Sequence, residues 1–280
     1  MKNNKSNTST EGAYQLSAEQ IQQYRDQGYL VIENVLTEAE MAEIDPWFDH
    51  FIEGKHEGMG RDLCDMSQPK DTPFEQYRLV NAMLPSRYEP SLDKSRFEQV
   101  AKSISEQLYG GDNIDKDYDQ FLAKKPHHKG AQFAMHQDLG YWPKTESTWT
   151  ATFSLALSDS DVENGCLQVV PGSNNEPDLR QHLPTALNAS QIEKLDEHND
   201  FSTLSIKMEG DDEILFLPVK RGSMTIHDER IVHGSAGNIS DIWRKTYVMA
   251  FREKETIAHE RKIGFTHSHN DDLDWKKALS

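Results

Sequence analysis

The sequence predicts a mostly β fold with supporting α-helices: a double-stranded β-helix, or jelly roll, of the cupin-like kind. Two observations lead there. The apolar pattern is helical up to the Gly110-Gly111 pair and becomes alternating from about Tyr118 onward. The alternating half then holds several short runs separated by turn residues, as in an antiparallel sandwich or barrel. Neither an internal repeat nor a low-complexity linker divides the chain, so a single domain is expected.

Each element has its own signal. Ser17-Ala18-Glu19-Gln20 reads as a capping box opening a helix that Gly28 closes. Tyr29-Leu30-Val31-Ile32 reads as a short buried strand. Thr37-Glu38-Ala39-Glu40 is a second capping box, starting a helix that runs to about Phe51. Residues 54–75 look irregular. A third helix is expected over about 92–109, with Phe97, Val100, Ala101, Ile104 and Leu108 at helical spacing. Strands are expected over 118–123, 132–138, 148–158, 166–170, 223–227 and 245–252. Asn81-Ala82-Met83-Leu84-Pro85 has the character of a loop and suits a lid. Residues 174–212 read as a long polar insertion, either a lid or a solvated loop, with a helix near 190–197. The expected boundaries are a disordered tail over 1–14 and a domain over 15–280. Within that domain the helical opening covers 15–112 and the jelly-roll core about 117–253.

Composition narrows the function classes. The chain has 280 residues, 30 basic and 47 acidic, for a net charge of −17. Such a surface repels nucleic acid and anionic membranes on average, so neither is expected as a partner. It also weighs against a highly anionic substrate such as a coenzyme A thioester. No apolar run is long enough for a transmembrane helix, and the polar start MKNNKSNTSTEGAY is not a secretory signal. Two cysteines, Cys64 and Cys166, offer no disulfide framework, so a reducing cytoplasm is the expected location.

The chemistry is carried by His136-Gln137-Asp138. His233 follows Asp138 by 95 positions, and Arg244 comes 11 after that. Spacing of i and i+2 puts His136 and Asp138 on one face of a strand. Two imidazoles and a carboxylate can cap one face of an octahedral iron(II), leaving the opposite positions open to a co-substrate and dioxygen. His136, Asp138 and His233 are therefore the candidate metal-ligating and catalytic residues.

Three stretches extend this pattern: HQDLGYW from His136, ENGCLQVVPGS from Glu163, and VHGSAGNIS from Val232 with Arg244 behind it. With these in order, the chain resembles the phytanoyl-CoA dioxygenase family of iron(II)/2-oxoglutarate oxygenases over about 120–252. The resemblance implies the same jelly roll. It also implies iron(II), 2-oxoglutarate and dioxygen as cofactor and co-substrates, with ascorbate helpful in vitro. A small-molecule substrate is then hydroxylated at an unactivated C–H while 2-oxoglutarate is decarboxylated to succinate and carbon dioxide. The carboxylate at Asp138 points to hydroxylation, because halogenating relatives carry a small residue there.

The far carboxylate of the co-substrate needs a buried cation, and the guanidinium fork of Arg244 suits it. The resemblance supports the same role for Arg244, with Ser235 donating a hydroxyl. Arg252 competes with Arg244, whose structural alternative is a surface salt bridge with Asp241. Trp142 either flanks the co-substrate, as an aromatic does in relatives, or is ordinary core packing. Gln120 and Lys124 or Lys125 are further candidates, because the family has a lysine upstream of the first histidine and the spacing does not decide which. Thr150 and Thr152 are expected to face inward. Asn164-Gly165 reads as a hairpin turn and Asn238 as a turn cap. His227 and the His127-His128 and His267/His269 pairs are set aside as iron ligands. Met135, Gln137, Tyr141, Asn81, Met83 and Tyr88 are candidate pocket residues. Two alternatives stay open: a cupin-like metal dioxygenase using no oxo acid, and a non-catalytic jelly-roll binding protein.

Overall fold

The computed structural model describes residues 14–69, 72–145, 148–184 and 204–273. Both capping boxes form. Helix α1 (Ala18–Gln27) starts where the Ser17 hydroxyl accepts from the Gln20 amide and the Gln20 side chain accepts from Ser17 N–H; Gly28 ends it at φ 79°. Helix α2 (Glu38–Ile52) starts in the same way from Thr37 and Glu40. A short turn, α3 (Pro85–Tyr88), precedes α4 (Arg96–Tyr109), which buries Phe97, Val100, Ala101, Ile104 and Leu108. The expected start of α4 near residue 92 is corrected. Pro90–Leu92 is a separate 3-10 turn, and Ser95 is the cap that accepts from the Glu98 amide.

Thirteen strands are described: β1 (Tyr29–Ile32), β2 (Leu63–Asp65), β3 (Leu79–Met83), β4 (Ile114–Lys124), β5 (Phe133–His136), β6 (Thr150–Ala156), β7 (Leu167–Val169), β8 (His182–Pro184), β9 (Leu204–Ile206), β10 (Leu215–Leu217), β11 (Met224–Asp228), β12 (His233–Ser235) and β13 (Arg244–Glu253). All pairings are antiparallel. A seven-stranded sheet has the order β1-β11-β6-β13-β4-β3-β2, a four-stranded sheet has the order β10-β7-β12-β5, and β8 pairs with β9. This is the jelly roll expected from the alternating pattern. A last helix, α5 (Lys254–Ile263), follows β13 directly; the sequence reading had no element there.

Alternation sorts the side chains of the large sheet. On its outer face Phe121 of β4 and Tyr247 of β13 meet Phe48, Phe51 and Phe97 of the helices, with ring centroids 4.5–5.7 Å apart. These aromatics, with Phe153, Met224, Ile226 and Met249, form the main apolar core. The face turned toward the small sheet is largely polar: Lys124, Thr152, Thr225, His227, Arg244 and Thr246 are all buried on it. Burying polar groups is costly unless they find partners, so this inner face marks the site.

The supposed lid at Asn81-Ala82-Met83 is corrected. These residues lie in β3, fully buried between β4 and β2, with Asn81 opposite Leu122 and Met83 opposite Gln120. A strand covered on both faces shows no alternation, so its one polar residue gave it the look of a loop. In the 174–212 stretch, β8 and β9 pair; the helix expected near 190–197, the tail over 1–13 and the C-terminal KKALS lie outside the described residues. Gly165 closes the turn before β7 at φ 80°, and a Cβ there would lie 2.2 Å from the Ala236 carbonyl oxygen. Only glycine lets this turn press on the segment that follows Ser235. No helix among the described residues is long and apolar enough to cross a membrane.

Candidate active site

His136 ends β5, and His233 opens β12 directly opposite it in register. Asp138 follows at the start of a 3-10 turn (Asp138–Tyr141), which bends its carboxylate back toward both imidazoles. Asp138 Oδ1 lies 3.5 Å from His136 Nε2 and 3.3 Å from His233 Nε2. The nearest ligand atoms of all three lie within 4.8 Å of one another. Each imidazole is oriented by a backbone carbonyl: His136 Nδ1 donates to Ala134 O at 2.7 Å and His233 Nδ1 to Ile231 O at 3.0 Å. That tautomer leaves both Nε2 lone pairs aimed at the carboxylate. Burial would raise the Asp138 carboxyl, but His233, His136 and His227, when their Nε2 atoms carry protons, hold it well below the usual carboxylate range, a part that a bound cation would take over. Burial, followed by His233, pushes the His136 imidazole down. Three electron-rich atoms thus converge where only a cation can satisfy them together, and two imidazoles with one carboxylate suit iron(II).

A second feature lies deeper between the sheets. Lys124 Nζ donates to Ser235 Oγ at 2.6 Å and to Ala236 O at 2.5 Å, bridging the two sheets. Arg244 Nε donates to Ser160 Oγ at 3.3 Å, and the guanidinium lines a small cavity with Ser154, Thr225 and Thr246. Among the described residues neither cation has a carboxylate partner. Burial, then Arg244 beside it, pushes the Lys124 ammonium well below its ordinary value; burial brings Arg244 down to about 10. An unpaired buried cation is expensive, so this pair is built for an anion that the protein does not supply.

The two lysines differ in placement. Lys124 is buried, whereas Lys125 turns outward to the Trp243 ring at 6.0 Å. Gln120 projects from the same face of β4 as Lys124 and is half-buried. Arg244 makes no salt bridge with Asp241, which pairs instead with exposed His127. Asn238 fastens the neighbouring turn, donating to Lys124 O at 3.1 Å and Ile242 O at 2.7 Å.

Trp142 is not gathered with the cations. Its ring carries the Arg252 guanidinium at 4.2 Å and packs edge-on to Tyr118 and His267. Of the two readings of Trp142, packing is the one these contacts support: it clusters with Met83, Leu84, Tyr118 and Phe265. Arg252 is excluded as the rival of Arg244. Its Nη1 donates to Asp117 Oδ2 at 2.8 Å and Glu260 Oε2 at 2.7 Å, and its Nε to Thr150 Oγ1 at 2.9 Å. Asp117, Glu260 and His267 also lie close enough to hold a metal. There, however, Arg252 and Arg261 already balance the two carboxylates, so an ion would have to displace a guanidinium.

Of the candidate pocket residues, Asn81 and Met83 share the inner face, and the Tyr141 ring stands edge-on to His136 at 5.2 Å. Gln137 is structural: its amide donates to Arg230 O at 2.6 Å and accepts from Arg180 N at 2.8 Å. Met135 packs against Val170, Ile206 and Val232. Tyr88 donates to Asp62 at 2.7 Å. One contributor had been set aside: His227, whose Nε2 lies 3.2 Å from Asp138 Oδ2, beside Thr152 Oγ1 at 3.1 Å from the same oxygen. The only sequence hint was alternation, which puts His227 two residues from Thr225 on the inner face.

Residues 24–246 match the model of the phytanoyl-CoA dioxygenase (PhyH) family. The chain belongs to this family. Among its relatives, the peroxisomal phytanoyl-CoA dioxygenase of Bos taurus is 24% identical over 247 residues, covering 85% of this chain and 69% of that protein. An ectoine dioxygenase of Bordetella bronchiseptica is 23% identical over 272 residues, covering 89% and 79%. The crystal structure of EvdO2 from Micromonospora carbonacea var. aurantiaca superposes with a TM-score of 0.69 at 22% identity, covering 87% of this chain and 93% of that one. EvdO2 has also been solved complexed with 2-oxoglutarate. At the level of the family, the expected iron(II)/2-oxoglutarate oxidoreductase is borne out.

Proposed function

We propose that this protein hydroxylates an unactivated C–H bond of a small molecule, coupled to decarboxylation of 2-oxoglutarate. Substrate, 2-oxoglutarate and dioxygen become hydroxylated product, succinate and carbon dioxide. The observation that carries this reading is an electron-rich triad at the edge of the small sheet together with two buried cations, unbalanced by any carboxylate among the described residues, on the facing inner surface of the large sheet. His136 Nε2, Asp138 Oδ1 and His233 Nε2 are the metal ligands. Arg244 receives the far carboxylate of 2-oxoglutarate in fork geometry, with Lys124 and Ser235 beside it. When bound, iron(II) supplies the activation of dioxygen that drives the oxidation.

The chain's own contribution is to orient the ligands, neutralise the co-substrate and keep water out. A metal dioxygenase using no oxo acid has no need of Arg244 and Lys124, and a binding module has no need of the triad. The ectoine dioxygenase relative supports a small-molecule substrate. Incubating the protein with a metabolite extract, iron(II), ascorbate, 2-oxoglutarate and labelled dioxygen tests the proposal. Products gaining one labelled oxygen are expected together with succinate, one for one. Product formed without 2-oxoglutarate would favour the oxo-acid-independent enzyme, and failure to bind iron(II) or 2-oxoglutarate would favour the binding module.

A further inference from the structure

We infer that His227 is a positioning residue that restricts Asp138 to a single coordinating oxygen. The inference rests on Asp138 being a metal ligand and adds how that ligand is held. The two carboxylate oxygens have separate surroundings. Oδ1 faces the imidazoles of His136 and His233 at 3.5 and 3.3 Å. Oδ2 faces away, receiving His227 Nε2 at 3.2 Å and Thr152 Oγ1 at 3.1 Å. Because the Asp138 carboxylate is an acceptor, Nε2 carries the proton and donates. His227 is therefore not a fourth ligand: its Nε2 is committed to Oδ2.

His227 is buried, and its ring lies 4.2 Å from that of His233. Its Nδ1 is buried without a hydrogen-bond partner among the described residues. That unpaired nitrogen separates positioning from packing. A buried acceptor with nothing to accept is unfavourable, and a phenylalanine would fill the space beside His233 without it. What phenylalanine lacks is the N–H directed at Asp138. With Oδ2 occupied by two donors, Asp138 binds through Oδ1 alone. The coordination position that a second carboxylate oxygen would take stays open for a 2-oxo acid, which itself needs two.

The test uses the full chain loaded anaerobically with iron(II), with two binding readouts. One is iron(II) affinity; the other is 2-oxoglutarate affinity, read from the visible charge-transfer absorption of its iron complex. His227→Phe is expected to weaken 2-oxoglutarate binding about 10–100-fold. His227→Gln, which keeps an N–H donor, should recover part of that loss. Thr152→Val removes the other donor to Oδ2 and should shift the same readout in the same direction, which keeps the test decisive if His227→Phe does not fold. Wild-type affinity in both His227→Phe and Thr152→Val would overturn this inference and leave the proposed function standing. A wild-type protein that binds neither iron(II) nor 2-oxoglutarate would remove both.

Discussion

Arg244→Leu is expected to abolish useful 2-oxoglutarate binding and, at the same time, to make the protein without co-substrate more stable. Both effects come from one fact: among the described residues the buried guanidinium has a hydroxyl but no carboxylate. Removing one partner of a desolvated charge pair costs about 2–5 kcal/mol of binding, so KM for 2-oxoglutarate should rise roughly 30-fold or more. Replacing a buried, uncompensated cation with an apolar group of similar volume is often stabilising, here by about 1–2 kcal/mol. Thermal melting with and without 2-oxoglutarate checks both signs together. The wild type should gain stability from the ligand, while the variant should start higher and gain nothing. Lys124→Met should behave alike but more mildly, because Lys124 Nζ already has Ser235 Oγ and Ala236 O as acceptors.

Arg252→Met is expected to do the opposite, though Arg252 is also a buried arginine on β13. Its guanidinium joins Asp117 and Glu260, all three fully buried, and lies over the Trp142 ring. Leaving two carboxylates without it should destabilise the protein by about 3–5 kcal/mol, lowering Tm by roughly 10 °C. The loss should depend on pH. Burial would raise the Asp117 carboxyl, but His267, Arg252 and Arg261 hold it well below its ordinary value. That stability is present above the unfolded carboxylate pKa and is lost as pH falls through the folded one. In the variant Asp117 keeps His267 and Arg261, but the Glu260 carboxyl, already raised by burial, loses Arg252 and rises further, so the folded state binds an extra proton and stability falls as pH increases above about 4. Chemical denaturation at pH 7 and pH 4 should therefore show a larger gap between the proteins at pH 7. Equal gaps would mean that the network contributes no charge pairing.

The parts of the structure legible in the sequence were those written locally. Ser17 with Gln20 and Thr37 with Glu40 announce helix starts because both halves of each capping box lie within four residues. His136 and Asp138 stand two apart, and His233 and Arg244 follow at a recognisable offset, so the candidate triad and its cation are legible in the sequence. What stayed hidden was decided by register between distant strands. Lys124 and Lys125 cannot be separated until β4 is placed against β13, with Lys124 opposite Arg244. The pairing slips at Ala250/Phe251, leaving Asp117 without a partner strand residue. Such a bulge re-aims a side chain, and no alternation pattern could show Asp117 turning toward Arg252 and His267. His227 was passed over for the same reason: its partner, Asp138, is 89 positions away. The two readings of Trp142 stay open in the sequence because its motif neighbours point to chemistry, while its ring lies under the Arg252 guanidinium.

His136, Asp138 and His233 are expected to hold iron(II), with Arg244 receiving 2-oxoglutarate. The most direct measurement is a crystal structure grown anaerobically with iron(II) and 2-oxoglutarate, with anomalous scattering recorded at the iron edge. The account predicts one strong peak bonded to His136 Nε2, Asp138 Oδ1 and His233 Nε2, with the far carboxylate of the co-substrate on the Arg244 guanidinium. A peak at Asp117, Glu260 and His267 instead, or a co-substrate bound away from Arg244, would contradict it.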